Sequence, residues 1–159
     1  MEKGPSASAL TGSAGFLLSR VGAAVQAGFK DLIGQWDIRP QQFAILTVLS
    51  AAGEAFQQEL CQALGIDSGN MVELVDGLEA RGYAQRRRDP RDRRRYLLAM
   101  TDEGQAAFAA MSTAVDEYDA RFLEPLDPEE QASLVAALAK LFAATAEGQR
   151  MPGTEKAAS

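Results

Sequence analysis

The sequence has no histidine, one cysteine and one tryptophan. Without histidine, Ser-His-Asp and Cys-His catalysis are excluded, and so are histidine-ligated zinc and haem. The single cysteine, Cys61, can form neither an internal disulfide nor a cysteine-cluster metal site, and this usage fits a reducing cytosol. Long apolar runs are also missing. The most apolar stretch, from Phe43 to Gly53, is about half a membrane span and is interrupted by Thr47 and Ser50. The opening residues, MEKGPSASAL, lack the apolar core of a signal peptide. Carboxylate, Lys, Tyr and Ser chemistry remain open, but no acidic pair sits with a recognisable substrate loop. These absences predict a cytoplasmic, membrane-free protein that is not an enzyme and carries no cofactor or metal.

Positive charge is scarce too. Sixteen Lys+Arg face twenty-two Asp+Glu, for a net charge of −6 and a pI near 4.7. Averaged over the chain, that balance argues against a nucleic-acid partner. Its distribution argues the opposite. Residues 81–95 (RGYAQRRRDPRDRRR) hold eight Arg and two Asp, a net of +6, which leaves −12 on the other 144 residues. Runs of charge are ordinarily solvated faces. Eight arginines packed into an acidic protein repel one another, however, and the guanidinium fork is the group suited to phosphate and to narrow minor grooves.

The 159 residues amount to one domain's worth of chain. Residues 1–13 are small and polar and read as a flexible arm. From Phe16 to Trp36 the apolar residues Leu17, Val21, Val25, Phe29, Leu32 and Ile33 recur at helical spacing. Pro40 opens a second helix that stops before Gly53. A short helix over 56–64 is closed by Gly65, and Asp67 or Ser68 caps a fourth with Met71, Leu74, Val75 and Leu78 as its buried stripe. Residues 40–82 thus read as a helix-turn-helix.

The period then changes to two. Residues 83–88 and 94–100 flank the turn Asp89-Pro90-Arg91-Asp92, which predicts a β-hairpin with an arginine-loaded tip. Thr101-Asp102-Glu103 starts a helix over 102–123. Asp127, Pro128 and Glu130 then form the capping box of a last helix, and the tail over 148–159 reads as flexible. The expected fold is mainly α with a small β-hairpin wing: a winged helix-turn-helix over 38–101, framed by dimerisation helices at 14–37 and 102–147.

Three stretches of this order resemble the MarR (multiple-antibiotic-resistance-type) family of transcriptional regulators, over roughly residues 15–147. The segment LCQALGIDSGNMVELVDGLEARGY is similar to the family's helix-turn-helix. DPRDRRRYLLAMTDEG is similar to its wing signature, with Asp92, Arg94 and Thr101 aligned and Met100 in place of Leu. The helix order on both sides also agrees. The resemblance implies a homodimer on pseudo-palindromic double-stranded DNA, with half-sites about one helical turn apart. The fourth helix would enter the major groove and the wing the adjacent minor groove. A small ligand or oxidant would release the DNA.

On this reading Asp92 pairs with Arg94 inside the wing, Arg91 inserts into the minor groove, and Arg86, Arg88, Arg93 and Arg95 meet phosphates. The outward face of the recognition helix carries Ser68, Gly69, Asn70, Val72, Glu73, Asp76 and Gly77, with no positive charge of its own. Ser68 and Asn70 suit base edges, Val72 a thymine methyl, and Glu73 a cytosine amine. The bland alternative is that Glu73 and Asp76 are merely solvated. Relatives often carry Arg or Lys about where Glu73 and Gly77 stand.

Phe29, Trp36 and Phe43 fall where the first helix meets the second, near the ligand crevice the resemblance implies. Aromatics at such spacing are more often core. Arg20 could anchor a small aromatic or anionic effector or pair with a surface acid. Cys61, with no cation near it in sequence, reads as a structural thiol rather than an oxidant sensor. Two other functions stand beside the repressor: a winged-helix module docking its basic wing on an acidic protein, and a thiol-based redox regulator working through Cys61.

Overall fold

Helix starts fall where side-chain oxygens can take up the free N–H groups of a first turn. In the computed structural model, which describes residues 12–146, α1 (Ala14–Gly34) begins at Ser13, whose Oγ accepts from Phe16 N at 3.4 Å. Pro40 occupies the first position of α2 (Pro40–Ala52). Gly53, at φ +77°, turns the chain from α2 into β1 (Glu54–Phe56), and α3 (Gln57–Leu64) follows at once. Gly65 closes α3 at φ +63°, a left-handed conformation that suits glycine. Asp67 caps α4 (Ser68–Ala80), its Oδ1 accepting from Asn70 N at 2.9 Å.

Strands β2 (Ala84–Arg88) and β3 (Tyr96–Met100) form the expected hairpin. Thr101 Oγ1 then accepts from Gly104 N at 2.9 Å to start α5 (Asp102–Leu123). Asp127 Oδ1 accepts from Glu129 N and Glu130 N, and Glu130 Oε2 accepts from Asp127 N at 3.0 Å, the capping box that opens α6 (Pro128–Ala146).

The hairpin is not alone. β1 joins it in a three-stranded antiparallel sheet of order β1-β3-β2, with Ala55 and Arg86 on either side of Leu98. A two-stranded wing was expected. Three residues between a glycine and a helix are too few to display a period of two, so β1 left no readable pattern.

The chain divides into two compact units, with the division between Tyr118 and Asp119 inside α5. In the first unit one core gathers Ile33, Ile45, Leu46, Leu49, Leu60, Met71, Val75, Leu78, Leu98 and Met111, all fully buried. Ile33 and Met111 lie outside 38–101, so α1 and α5 also contribute side chains to this core. Tyr118 OH donates to Val25 O at 3.0 Å, fastening α5 to α1 against Gly28. In the second unit, Gln131 Nε2 donates to Leu123 O and Leu126 O and closes the turn between α5 and α6. There Val135, Leu138 and Leu141 are exposed apolar side chains. The tail at 148–159 and nearly all of the arm at 1–13 lie outside the described residues. No helix among the described residues is long and apolar enough to cross a membrane.

Candidate nucleic-acid interface

The wing tip is organised by its two aspartates. Asp89 Oδ1 accepts from Arg91 N at 2.8 Å, and Asp92 Oδ1 from Arg94 N at 3.0 Å, each closing an Asx turn. Asp89 N donates to Arg95 O and Arg95 N to Asp92 O, which ties the strands across the tip. Asp92 also takes Arg94 Nε at 3.3 Å. The carboxylates are therefore engaged with tip backbone and one neighbour. Among the described residues the exposed guanidinium groups of Arg88, Arg91 and Arg93 have no acidic partner. Arg88 lies 5.6 Å from the Tyr96 ring, and Arg95 stacks over Phe56 at 3.6 Å, contacts that orient a cation without cancelling its charge.

Arg86 behaves differently. Its fork closes on Asp76, and its Nε meets Glu79 Oε2 at 2.8 Å, while its backbone N–H donates to Glu79 Oε1. Expected as a phosphate contact, it is a half-buried brace between β2 and α4. Arg87, which the sequence did not single out, pairs with Glu54 across the sheet at 2.8 Å.

On α4 the stripe Met71, Leu74, Val75 and Leu78 is buried, leaving Ser68, Gly69, Asn70, Val72, Glu73 and Asp76 exposed. The helix does lack a cation of its own, yet its flanks do not. Arg39 Nη2, from the residue that caps α2, reaches Glu73 Oε1 at 2.8 Å on one side, and Arg86 holds Asp76 on the other. Gly77 is half-buried rather than outward, because the Gln42 amide fills the space a side chain would take. Among the described residues Gln42 is the buried polar side chain of the core. Its Nε2 donates to Leu74 O at 2.9 Å and its Oε1 accepts from Arg39 N at 2.8 Å, pinning α4 to the start of α2. Arg81 adds a second tie, bonding Gly77 O at 3.0 Å and pairing with Asp37.

The sequence pattern of the MarR family matches residues 36–95, from the end of α1 to the wing tip. A putative transcriptional regulatory protein for the hcr operon of Thauera aromatica is 31% identical over 134 residues, covering 84% of this chain and 81% of that protein. The chain belongs to the MarR family. Among solved structures, the transcriptional repressor CouR bound to a 23-mer DNA duplex is 31% identical with a TM-score of 0.79, covering 87% of this chain and 99% of that one. A MarR mutant from Escherichia coli, complexed with operator DNA, is 25% identical with a TM-score of 0.70, covering 80% and 91%. This MarR family member is a DNA-binding transcriptional regulator and not an enzyme.

The remaining sequence-derived positions fall less together. Phe29 and Phe43 meet edge to face at 5.7 Å, and Phe43 stacks on Phe108 at 5.6 Å. With Trp36 these rings are partly buried and pack against the core. Arg20 is exposed on α1 and has no ion-pair partner among the described residues. Cys61 is half-buried and lines a cleft of about 290 Å³ with Gln57, Ser68, Arg94 and Arg95. The cations absent from its sequence neighbourhood are thus brought to the same cleft by the wing.

Proposed function

We propose that this MarR family member is a homodimeric repressor of a pseudo-palindromic operator, released by a small effector. In each subunit α4 enters the major groove and the wing lies along the adjacent minor groove. The observation that carries this reading is the pairing of an unneutralised wing tip with a recognition helix whose acids are already neutralised. Arg91 enters the minor groove, and Arg88, Arg93 and Arg95 meet phosphates with Arg94, which Asp92 steadies. Ser68, Asn70, Val72 and Glu73 face base edges. Arg86 braces the helix from behind and does not reach phosphate. The family relative seen on a 23-mer duplex, itself a repressor, supports the same use of the fold.

Dimerisation is supported by apolar side chains left at the surface of each unit, Leu17, Leu18 and Val21 on α1 and Val135, Leu138 and Leu141 on α6. Burying such residues is worth about 25 cal/mol per Å², and a second copy presenting the same patch would supply the cover. Titrating the protein onto random duplex at increasing salt tests the DNA reading. Binding must weaken steeply, because each neutralised phosphate releases counterions. Selection from a random pool must then return paired half-sites. A protein-docking wing would show neither.

A further inference from the structure

We propose that Arg39, at the cap of α2, is a specificity-determining residue that reads one G·C pair of each half-site together with Glu73. The inference rests on the reading of α4 as the helix that enters the major groove.

Arg39, Arg81 and Arg86 all bond to groups on α4, and two of them are committed to the protein. Arg86 is bonded to both Asp76 and Glu79, and Arg81 to Gly77 O and Asp37. Their side chains are 23% and 30% exposed, whereas Arg39 is 60% exposed and Glu73 64%. Among the described residues the Arg39 side chain bonds Glu73 alone, from Nη2 to Oε1 at 2.8 Å. A guanidinium has five N–H donors and a carboxylate has two acceptor oxygens. Both groups therefore keep hydrogen-bonding capacity beyond the bond they share.

The pair is fixed from behind. Gln42, 4% exposed, accepts from Arg39 N and donates to Leu74 O, on the residue after Glu73. Its amide occupies the space that a side chain at Gly77 would take. The backbones of Arg39 and Leu74 are thus tied together while the Arg39 and Glu73 side chains stay in solvent. On α4, Glu73 lies three residues after Asn70 and four after Gly69, on the same helix face. The pair therefore adjoins the residues that face base edges.

The chemistry of the pair selects a base pair. In the major groove G·C presents two acceptors, guanine N7 and O6, and then the N4 donor of cytosine. Arg39 offers parallel N–H donors and Glu73 Oε2 an acceptor beside them. Donor, donor, acceptor is the complement of acceptor, acceptor, donor. An A·T pair presents acceptor, donor, acceptor, which fits this pattern only at its first group. Because the pair carries no net charge, it adds discrimination without adding to the grip on phosphate.

The test uses the full chain. Selection from a random pool by the parent and by Arg39→Ala should return half-sites that differ at one position, G·C in the parent and degenerate in the variant. Affinities are then compared for the parent's site and for the same site with that pair changed to A·T. A good bidentate contact is worth about fivefold to 150-fold against a wrong base, so the parent should prefer its own site by at least about fivefold. Arg39→Ala keeps the Gln42 tie, which uses the backbone N–H, and should lower this ratio about fivefold or more. The double variant Arg39→Ala, Glu73→Ala removes a neutral pair. It should bring the ratio within about twofold of one, while its affinity for random duplex and its salt slope match the parent. Thermal melting of both variants, at exposed positions, confirms that the fold is retained. Identical pools, or an unchanged ratio in Arg39→Ala, would overturn the assignment. So would a double variant that weakens on random duplex and loses about 0.9 of salt slope, since Arg39 would then grip phosphate. A parent chain that binds no duplex at low salt would instead overturn the DNA reading itself.

Discussion

The wing and the recognition helix are built from the same two ingredients, arginine and acid, and arrive at opposite electrostatic outcomes. In the wing, Asp89 and Asp92 sit at tight turns where the nearest donors are backbone N–H groups, so their charge organises the tip and the guanidinium groups of Arg91 and Arg93 stay unpaired. On α4 the acids project from a regular helix whose own N–H groups are already bonded. Glu73 and Asp76 must find donors elsewhere, and they find them in Arg39 and Arg86. Local charge count is therefore a poor guide to the field DNA meets; what decides is which donors each carboxylate can reach.

Removing the tip cations should break this contrast most severely. The double substitution Arg91→Ala, Arg93→Ala leaves the Asx turns intact, because those use backbone N–H groups. Charged hydrogen bonds are worth about 1.5–3 kcal/mol each, so losing Arg91 from the minor groove and Arg93 from phosphate should weaken affinity for any duplex by at least about 100-fold. The slope of log K against log salt should shrink by about 0.9 for each lost phosphate contact. Unchanged affinity in a binding titration would mean that the wing is not the grip.

The helix side should fail through stability instead. Gln42→Ala removes the side-chain donor to Leu74 O and leaves the part-buried Arg39 N without its acceptor. An orphaned buried group costs about 1–3 kcal/mol, read as a lower urea midpoint. The salt slope of DNA binding should not move, since no phosphate contact is lost. Arg86→Ala should cost about 1 kcal/mol, a figure reduced because Asp76 is half exposed. Arg88→Ala, by comparison, should leave the melting temperature alone and weaken DNA binding. Identical melting curves for Arg86→Ala and the parent would make Arg86 a free cation like its neighbours.

The difference between the two regions also explains what the sequence made legible. The wing is a contiguous run, and its aspartates act on residues two positions away, so both its shape and its charge can be read in order. Helix limits were equally readable at Pro40, Gly65, Asp67 and Asp127, where one residue fixes one end. The partners of α4 could not be read. Arg39 and Glu73 are 34 residues apart, and Gln42 and Leu74 are 32 apart. Nothing in Asp37-Ile38-Arg39-Pro40 marks it as more than a helix break. The missing signal was geometric: a stripe that buries Leu74 and Leu78 turns Glu73 and Gly77 toward the start of α2. The aromatic spacing, read as more often core than crevice, brings Phe29, Phe43 and Phe108 against one another.

The smallest effect should be the most local. Asn70 is exposed on the first turn of α4, and its backbone N–H is already taken by Asp67, which leaves its amide free to face a base. An amide reads adenine through a donor and an acceptor together, a pairing worth about 1–3 kcal/mol against a wrong base. Asn70→Ala should therefore lose about 1 kcal/mol at one position of each half-site, the low end expected for an exposed side chain. Non-specific affinity and salt slope should match the parent, because no cation is removed. Sequences selected from a random pool by the parent and by Asn70→Ala should differ at that position alone. If the two pools are identical, α4 reads no base through Asn70, and sequence preference must come from the shape of the minor groove under the wing.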